Sequence, residues 1–229
     1  MLLSTETQDT IYSCNLLGLR VQALTMADLN RVITSAIAER STCIIANHNL
    51  NSLALCQRDS TMKSFYDLAS YVHADGMGVI LLAHILGKPL NRQHRTTYID
   101  WMRPLLSLAE RNQWRVFYLG SKPGVAETGV SSFRSQLPRL EIRTEHGYFC
   151  SDRDSPDNRE RVRAIREYDP DILVVGMGMP CQEKWILENL QDISSRVILC
   201  SGAAMDYFAG VVPTPPRLAG QLGMEWAFR

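Results

Sequence analysis

The run Asp171-Ile172-Leu173-Val174-Val175 is followed at once by Gly176 and Gly178, then by Pro180, Gln182 and Glu183. It is apolar, rich in β-branched residues and entered from Pro170, as a strand buried on both faces of a parallel sheet reads. The glycines let the chain turn sharply through positive φ or with a bare backbone, and Pro180 stands where a helix can begin. A strand, a glycine turn and a helix N-terminus form a ligand-facing edge, because ligands of open α/β sheets bind beyond the carboxyl ends of the strands. An ordinary βα connection with incidental glycines accounts for the stretch equally well.

The rest of the chain repeats that grammar. Residues Asn15 to Leu24 read as a strand interrupted at Gly18, and Thr25 with Asp28 offers a capping box for a helix to about Arg40. Cys43 to Ala46 reads as a buried strand ending at Asn47-His48-Asn49, with two helices after it, the second capped by Asp59 or Ser60. Ser70 to Ala74 is a short strand running into Asp75-Gly76-Met77-Gly78 and a very apolar helix closed by Gly87 and Pro89. After the polar loop NRQHRTT, Thr97 and Asp100 suggest a second capping box, for a helix to about Asn112. From Val116 onward strands and helices alternate regularly: Val116 to Leu119, then Val125 to Leu137, a strand near Leu140 to Arg143, a helix capped by Ser155 and Pro156, the opening motif, and Val197 to Cys200. The prediction is an α/β fold, a largely parallel Rossmann-like sheet covered by helices on both faces. Residues 1–210 would form the main body, with an N-terminal part to about 113 and a Rossmann-like part from about 114, and 211–229 a C-terminal appendage. NHN, DGMG, GSKPG, GMGMP and SGAAMD all follow strands, so parallel strands would gather them along one edge as a single crevice.

Composition narrows the partners. A formal net charge of zero over 229 residues supplies no field for nucleic acid. The six cysteines lie apart, without metal-ligand spacing, and suit a reducing cytoplasmic setting. The N-terminus lacks the features of a signal peptide, and the apolar stretch Met77 to Leu86 is too short to span a bilayer, so any membrane contact is expected at the surface.

Each chemical motif has a plainer counterpart. GSKPG, with Gly120, Lys122 and Gly124, can hold an anion on backbone N–H groups at a helix start, or be only a turn. Asp75 beside an apolar helix is a candidate general base, since a hydrophobic wall disfavours the charged carboxylate, but an N-cap aspartate is commoner. Asp152-Arg153-Asp154 and Asp169-Pro170-Asp171 have the DxD form of metal sites; the first reads as solvated loop and the second precedes its strand, so no metal is expected. The five histidines lack HxH or HExxH spacing and default to core or surface roles, with His48 and His94 noted for their place in candidate site loops. A nucleotide-binding protein such as an NAD-dependent oxidoreductase is the alternative class, weakened by an incomplete GxGxxG fingerprint. The C-terminal VVPTPPRLAGQLGMEWAFR, with Leu218, Leu222, Trp226 and Phe228 between Arg217 and Arg229, can rest at a membrane interface or pack on the body.

DGMG at Asp75, RTTYID at Arg95, FYLGSKPGV, GYF at Gly147, PDILVVGMGMPCQEKW and GMEWAFR, in this order and spacing, resemble the WecG/TagA/CpsF family, glycosyltransferase family 26, from about Asn15 onward. The resemblance implies an inverting, metal-independent and cofactor-free transferase that moves a sugar from a UDP-sugar to a polyprenyl-diphosphate-linked saccharide in exopolysaccharide or cell-wall polymer synthesis. It would work in the cytoplasm, peripheral at the inner face of the membrane through its C-terminal segment, and a homo-oligomer fits as well as a monomer. The family pattern makes Asp75 the base, matches Asn49 to the family's Thr-x-Asn asparagine, Arg95 to its diphosphate arginine and Gln182 to its PxQE glutamine. Asn47, Gly76, Thr96, Gly120, Lys122, Gly124, Gly176, Gly178, Glu183 and Asp206 are the accompanying substrate-binding candidates. Three departures stand out: Asn47 replaces the family's threonine, RTTYID replaces RVTGxD and suggests a different donor or acceptor, and Thr214-Pro215-Pro216 replaces RAP, so that an arginine expected at the diphosphate is either absent or supplied by Arg217. Relatives usually continue past EWxxR, so the appendage is expected to be truncated at Arg229.

Overall fold

The computed structural model describes residues 11–213. The expected C-terminal appendage from Thr214, including Arg217 and the aromatic segment, lies outside them. The chain opens with a β-hairpin, β1 (Ser13–Leu16) and β2 (Leu19–Gln22), paired antiparallel. Here the expectation of one interrupted strand is corrected: Leu17 and Gly18 both take positive φ, 55° and 85°, which reverses the chain instead of kinking it. The Thr25–Asp28 capping box forms as expected and starts α1 (Met26–Glu39).

Then follow β3 (Cys43–His48), α2 (Leu50–Cys56), α3 (Ser60–Leu68), β4 (Tyr71–Ala74), α4 (Met77–Ile85), a 3-10 turn at Arg92–His94 and α5 (Tyr98–Arg111). The second half supplies β5 (Val116–Gly120), α6 (Val125–Arg134), β6 (Ile142–Glu145), α7 (Pro156–Tyr168), β7 (Ile172–Gly176), α8 (Cys181–Asn189), β8 (Val197–Cys200) and α9 (Ala204–Phe208). At α5 the second capping box does not form: Thr97 makes no side-chain cap, and its hydroxyl donates instead to the Asp100 carboxylate at 3.0 Å.

Six strands form one parallel sheet in the order β4-β3-β8-β7-β5-β6. Their side chains alternate between two cores. Phe117, Leu119, Leu173, Val175 and Ile198 meet α2, α3, α4, α7, α8 and the hairpin, while Val116, Tyr118, Ile172, Val174 and Leu199 meet α1, α5, α6 and α9. Burial on both sides explains the nearly unbroken apolar runs in the strands. Because all six strands point the same way, the five polar or glycine-rich segments share the carboxyl edge. Adjacent strands β5 and β7 send their helices to opposite faces, α6 into one core and α8 into the other. That makes the Gly120–Gly176 pair, in register across the two strands, the topological switch point of the sheet.

Candidate active site

The chemistry-bearing residues divide into two groups on the carboxyl edge. The first lies over β4 and β3. Asp75 leaves β4 with its backbone N–H bonded to the His48 carbonyl at 2.8 Å, and its carboxylate accepts from the Asn47 side-chain amide at 3.1 Å. The chain returns beside it: Arg95 bridges to Ala74 in parallel fashion, and the Thr96 N–H donates to the Ala74 carbonyl at 3.0 Å. The Arg95 guanidinium also donates to Asp100 at 2.9 Å, which orients it. Loops distant in sequence therefore place a carboxylate, an amide and a guanidinium-bearing residue together. Gly76 fills the N-cap position of α4 at φ 91°, so Asp75 is not the cap that its sequence position suggested.

Asn49 does serve as a cap. Its side chain accepts from the Ser52 N–H at 3.0 Å in a complete capping box, so its oxygen is committed to α2. His48 and His94 also have structural roles. His48 is buried against Tyr66, ring centroids 3.9 Å apart, and burial pushes it down to about 3; the His94 ring accepts from the Asn91 N–H and closes its own turn. The Asn47 Oδ1 and Thr96 Oγ1 atoms are buried beside the Asp75 cluster without a protein hydrogen-bond partner.

The second group stands at the switch point. Gly120 and Gly176 meet so closely that a Cβ on Gly120 would run into the Gly176 backbone, and one on Gly176 into the Tyr118 ring. Ser121, Lys122 and Gly124 turn away into α6, with Gly124 at φ 79° and Lys122 exposed. Asp206, in α9, reaches the same region: its charge raises the Tyr118 phenol, itself pushed up to about 12 chiefly by burial. Four sheet intervals of about 4.8 Å separate β4 from β5, roughly 19 Å of rim, so only a ligand of nucleotide-sugar dimensions could engage both groups.

Between the groups lie Gln182 and Glu183, just after Gly178 (φ 78°) and a cis Met179–Pro180 bond. Both side chains are fully buried. The Gln182 oxygen accepts from the Gly202 N–H at 3.1 Å and its nitrogen donates to Glu183 at 2.8 Å. Gln182 thus ties α8 to the segment after β8. The Glu183 carboxyl is pushed up to about 7 by burial, and its second oxygen has no hydrogen-bond partner.

Two residues in this region escaped the sequence reading. Tyr66, from α3, donates to the Asn47 carbonyl at 2.9 Å, and its phenol, raised well above the ordinary value mainly by burial, also feels Glu183. Tyr98, two residues after Thr96, is a buried phenol raised mainly by burial and also by the Asp75 charge. Only Tyr98 had a signal, its place within RTTYID. A groove of about 700 Å³ between Arg153, Asn158, Arg163, Arg166 and Asn189 lies elsewhere and contains none of the candidate residues. Among the described residues no three His, Cys, Asp or Glu side chains converge as a ligand set. Asp171 of the second DxD instead accepts from the Arg115 N–H at 2.8 Å, at the amino end of β7.

Comparison with known proteins gives the family. Residues 14–229 match the model of the glycosyl transferase WecG/TagA/CpsF family. The chain is 29% identical, over 99% of its own length and 87% of the relative's, to an N-acetylglucosaminyldiphosphoundecaprenol N-acetyl-beta-D-mannosaminyltransferase of Staphylococcus aureus strain MRSA252. The same figures hold for the protein of that name from strain NCTC 8325 / PS 47.

Proposed function

The chain belongs to the WecG/TagA/CpsF family of glycosyltransferases, and we propose that it transfers a sugar from a UDP-sugar to a polyprenyl-diphosphate-linked saccharide, with inversion and without a metal. The relatives' names specify N-acetylmannosamine transfer to N-acetylglucosaminyl-diphosphoundecaprenol, which makes that pair the first to try. The observation that carries the reading is the Asn47–Asp75 contact on the carboxyl edge, with Arg95 and Thr96 paired to the adjoining Ala74.

The chemistry follows from those positions. An acceptor hydroxyl attacks the anomeric carbon; a C–O bond forms there as the bond to the diphosphate breaks, and the hydroxyl proton passes to Asp75. Asn47 orients that carboxylate. Charge on the departing diphosphate is met by Arg95, whose guanidinium is held by Asp100, while the glycine turns near Gly120, Gly124, Gly176 and Gly178 receive the nucleotide end. Lys122 and Asp206 flank the nucleotide end. Gln182 and Glu183 support the wall from within, and Asn49 holds the start of α2 beside the acceptor side.

A donor screen tests this reading. Several UDP-sugars are offered with a polyprenyl-diphosphate-linked N-acetylglucosamine acceptor, with and without EDTA, and UDP release is followed. Acceptor-dependent release that survives EDTA is expected. Binding of NAD in place of UDP, or release that requires added Mg²⁺ or Mn²⁺, would overturn the proposal.

A further inference from the structure

Apart from the exposed His84, the face of α4 that the core leaves uncovered is apolar. Leu81 is 48%, Ile85 81% and Leu86 39% exposed, and Leu50, at the start of α2, is 49% exposed. The Leu50 side chain lies against Gly78, so closely that a Cβ there would meet it at 2.7 Å, and α2 and α4 therefore present one surface. These four account for almost half of the nine large apolar residues exposed among the described residues. Single exposed leucines are ordinary, but a contiguous group marks an interaction surface.

Position and charge indicate its occupant. α4 begins immediately after Gly76, so the patch adjoins Asp75, and the turn carrying Arg92 packs against the same helix. No aspartate or glutamate occurs between Asp75 and Asp100, whereas Lys88, Arg92, Arg95, His84 and His94 all fall there. An apolar face whose flanking segment, 76–99, is basic and without acids carries both attractions that hold a protein on an anionic bilayer.

We propose that α4, together with Leu50, is a membrane-seating surface. Leu81, Ile85 and Leu86 enter the acyl boundary of an anionic bilayer, Lys88 and Arg92 meet its headgroups, and Asp75 is held at the height where a lipid-linked sugar is presented. The purpose rests on the acceptor proposed above; the binding does not require it.

The test uses the full chain and vesicles containing neither donor nor acceptor, made of phosphatidylcholine alone or with phosphatidylglycerol. Wild type should sediment with the anionic vesicles. Leu81→Ser with Ile85→Ser should weaken that binding about tenfold or more. Lys88→Gln with Arg92→Gln should weaken it and flatten its salt dependence. Both pairs should melt within about 2 °C of wild type, since the altered side chains are on the surface. Equal binding by wild type and the serine pair would overturn the proposal. So would a dimer in sedimentation velocity that the serine pair dissociates while vesicle binding stays unchanged. Because no sugar is transferred, a failed donor screen and a failed vesicle experiment remain separate results.

Discussion

The Asn47 side-chain amide donates to the Asp75 carboxylate at 3.1 Å across two neighbouring parallel strands. The bond directs one carboxylate oxygen while Asn47, buried in β3, is itself fixed by its backbone. Asp75→Asn should leave UDP binding within a few-fold of wild type and lower turnover by about 10²–10⁴, the usual contribution of a positioned general base. Asn47→Ala should lower turnover less than Asp75→Asn, because the base remains but loses its orienting partner. Calorimetry with UDP and single-turnover transfer measure the two effects, and near-normal turnover of Asp75→Asn removes the residue from the chemistry.

The rim itself was legible in the sequence, for a physical reason. β-Branched runs such as Ile172–Val175 and Val197–Leu199 stop at glycine or polar residues, and parallel strands must place those stops on one edge. Direction within the rim was not legible. Gln182 was readable as a first-turn residue of α8, but its bond to Gly202 depends on how α8 docks beside β8. Tyr66 reaches Asn47 only because α3 lies over β3, a contact with no local trace. The hairpin at Leu17-Gly18 was missed because leucine is a poor signal for positive φ.

Glu183 gives a pH test with a definite sign. Its folded value near 7 exceeds the ordinary 4.5, so the folded state holds a proton that the unfolded state releases, and stability falls as pH rises from about 4.5 to about 7. His48 and His73, pushed by burial from 6.5 to about 3 and about 4, act oppositely: stability is lost as pH falls below 6.5, because the unfolded imidazoles bind protons. Two histidines outweigh one carboxyl between about pH 4.5 and 6.5, which places the stability maximum near neutrality. Glu183→Gln keeps the acceptor for Gln182 and removes the opposing slope. The variant should gain on wild type by an amount that grows with pH to on the order of 3 kcal/mol at pH 7. Denaturant melts at pH 5 and pH 7.5 measure it, and an unchanged gap between them would refute the assignment.

Gly120→Ala should cost about 1–3 kcal/mol, roughly 2–12 °C in Tm, because the new methyl meets the Gly176 backbone and not a side chain that can swing aside. Gly124→Ala, where nothing lies within 4 Å, should cost only the strain of a left-handed residue at φ 79°. Thermal melts of the two variants compare crowding with strain, and equal losses would show that the switch point relaxes more readily than its packing suggests.

Gln182 separates support from contact. Its amide binds Gly202 on one side and Glu183 on the other, so Gln182→Ala abandons a backbone donor and a carboxyl acceptor inside the protein. Each unsatisfied partner costs about 1–3 kcal/mol, which should appear as a lower denaturation midpoint with an unchanged slope. If Gln182 acts only by holding the Gly202 segment, a conservative Gln182→Glu should recover most of the stability at pH 5, where an added carboxyl can carry a proton and donate as the amide does, and less at pH 8. The KM for the UDP-sugar should follow the same order, since the Gly202 turn adjoins the switch point. A Gln182→Ala enzyme of normal stability but with turnover lowered by 10² or more would instead place this side chain on the substrate.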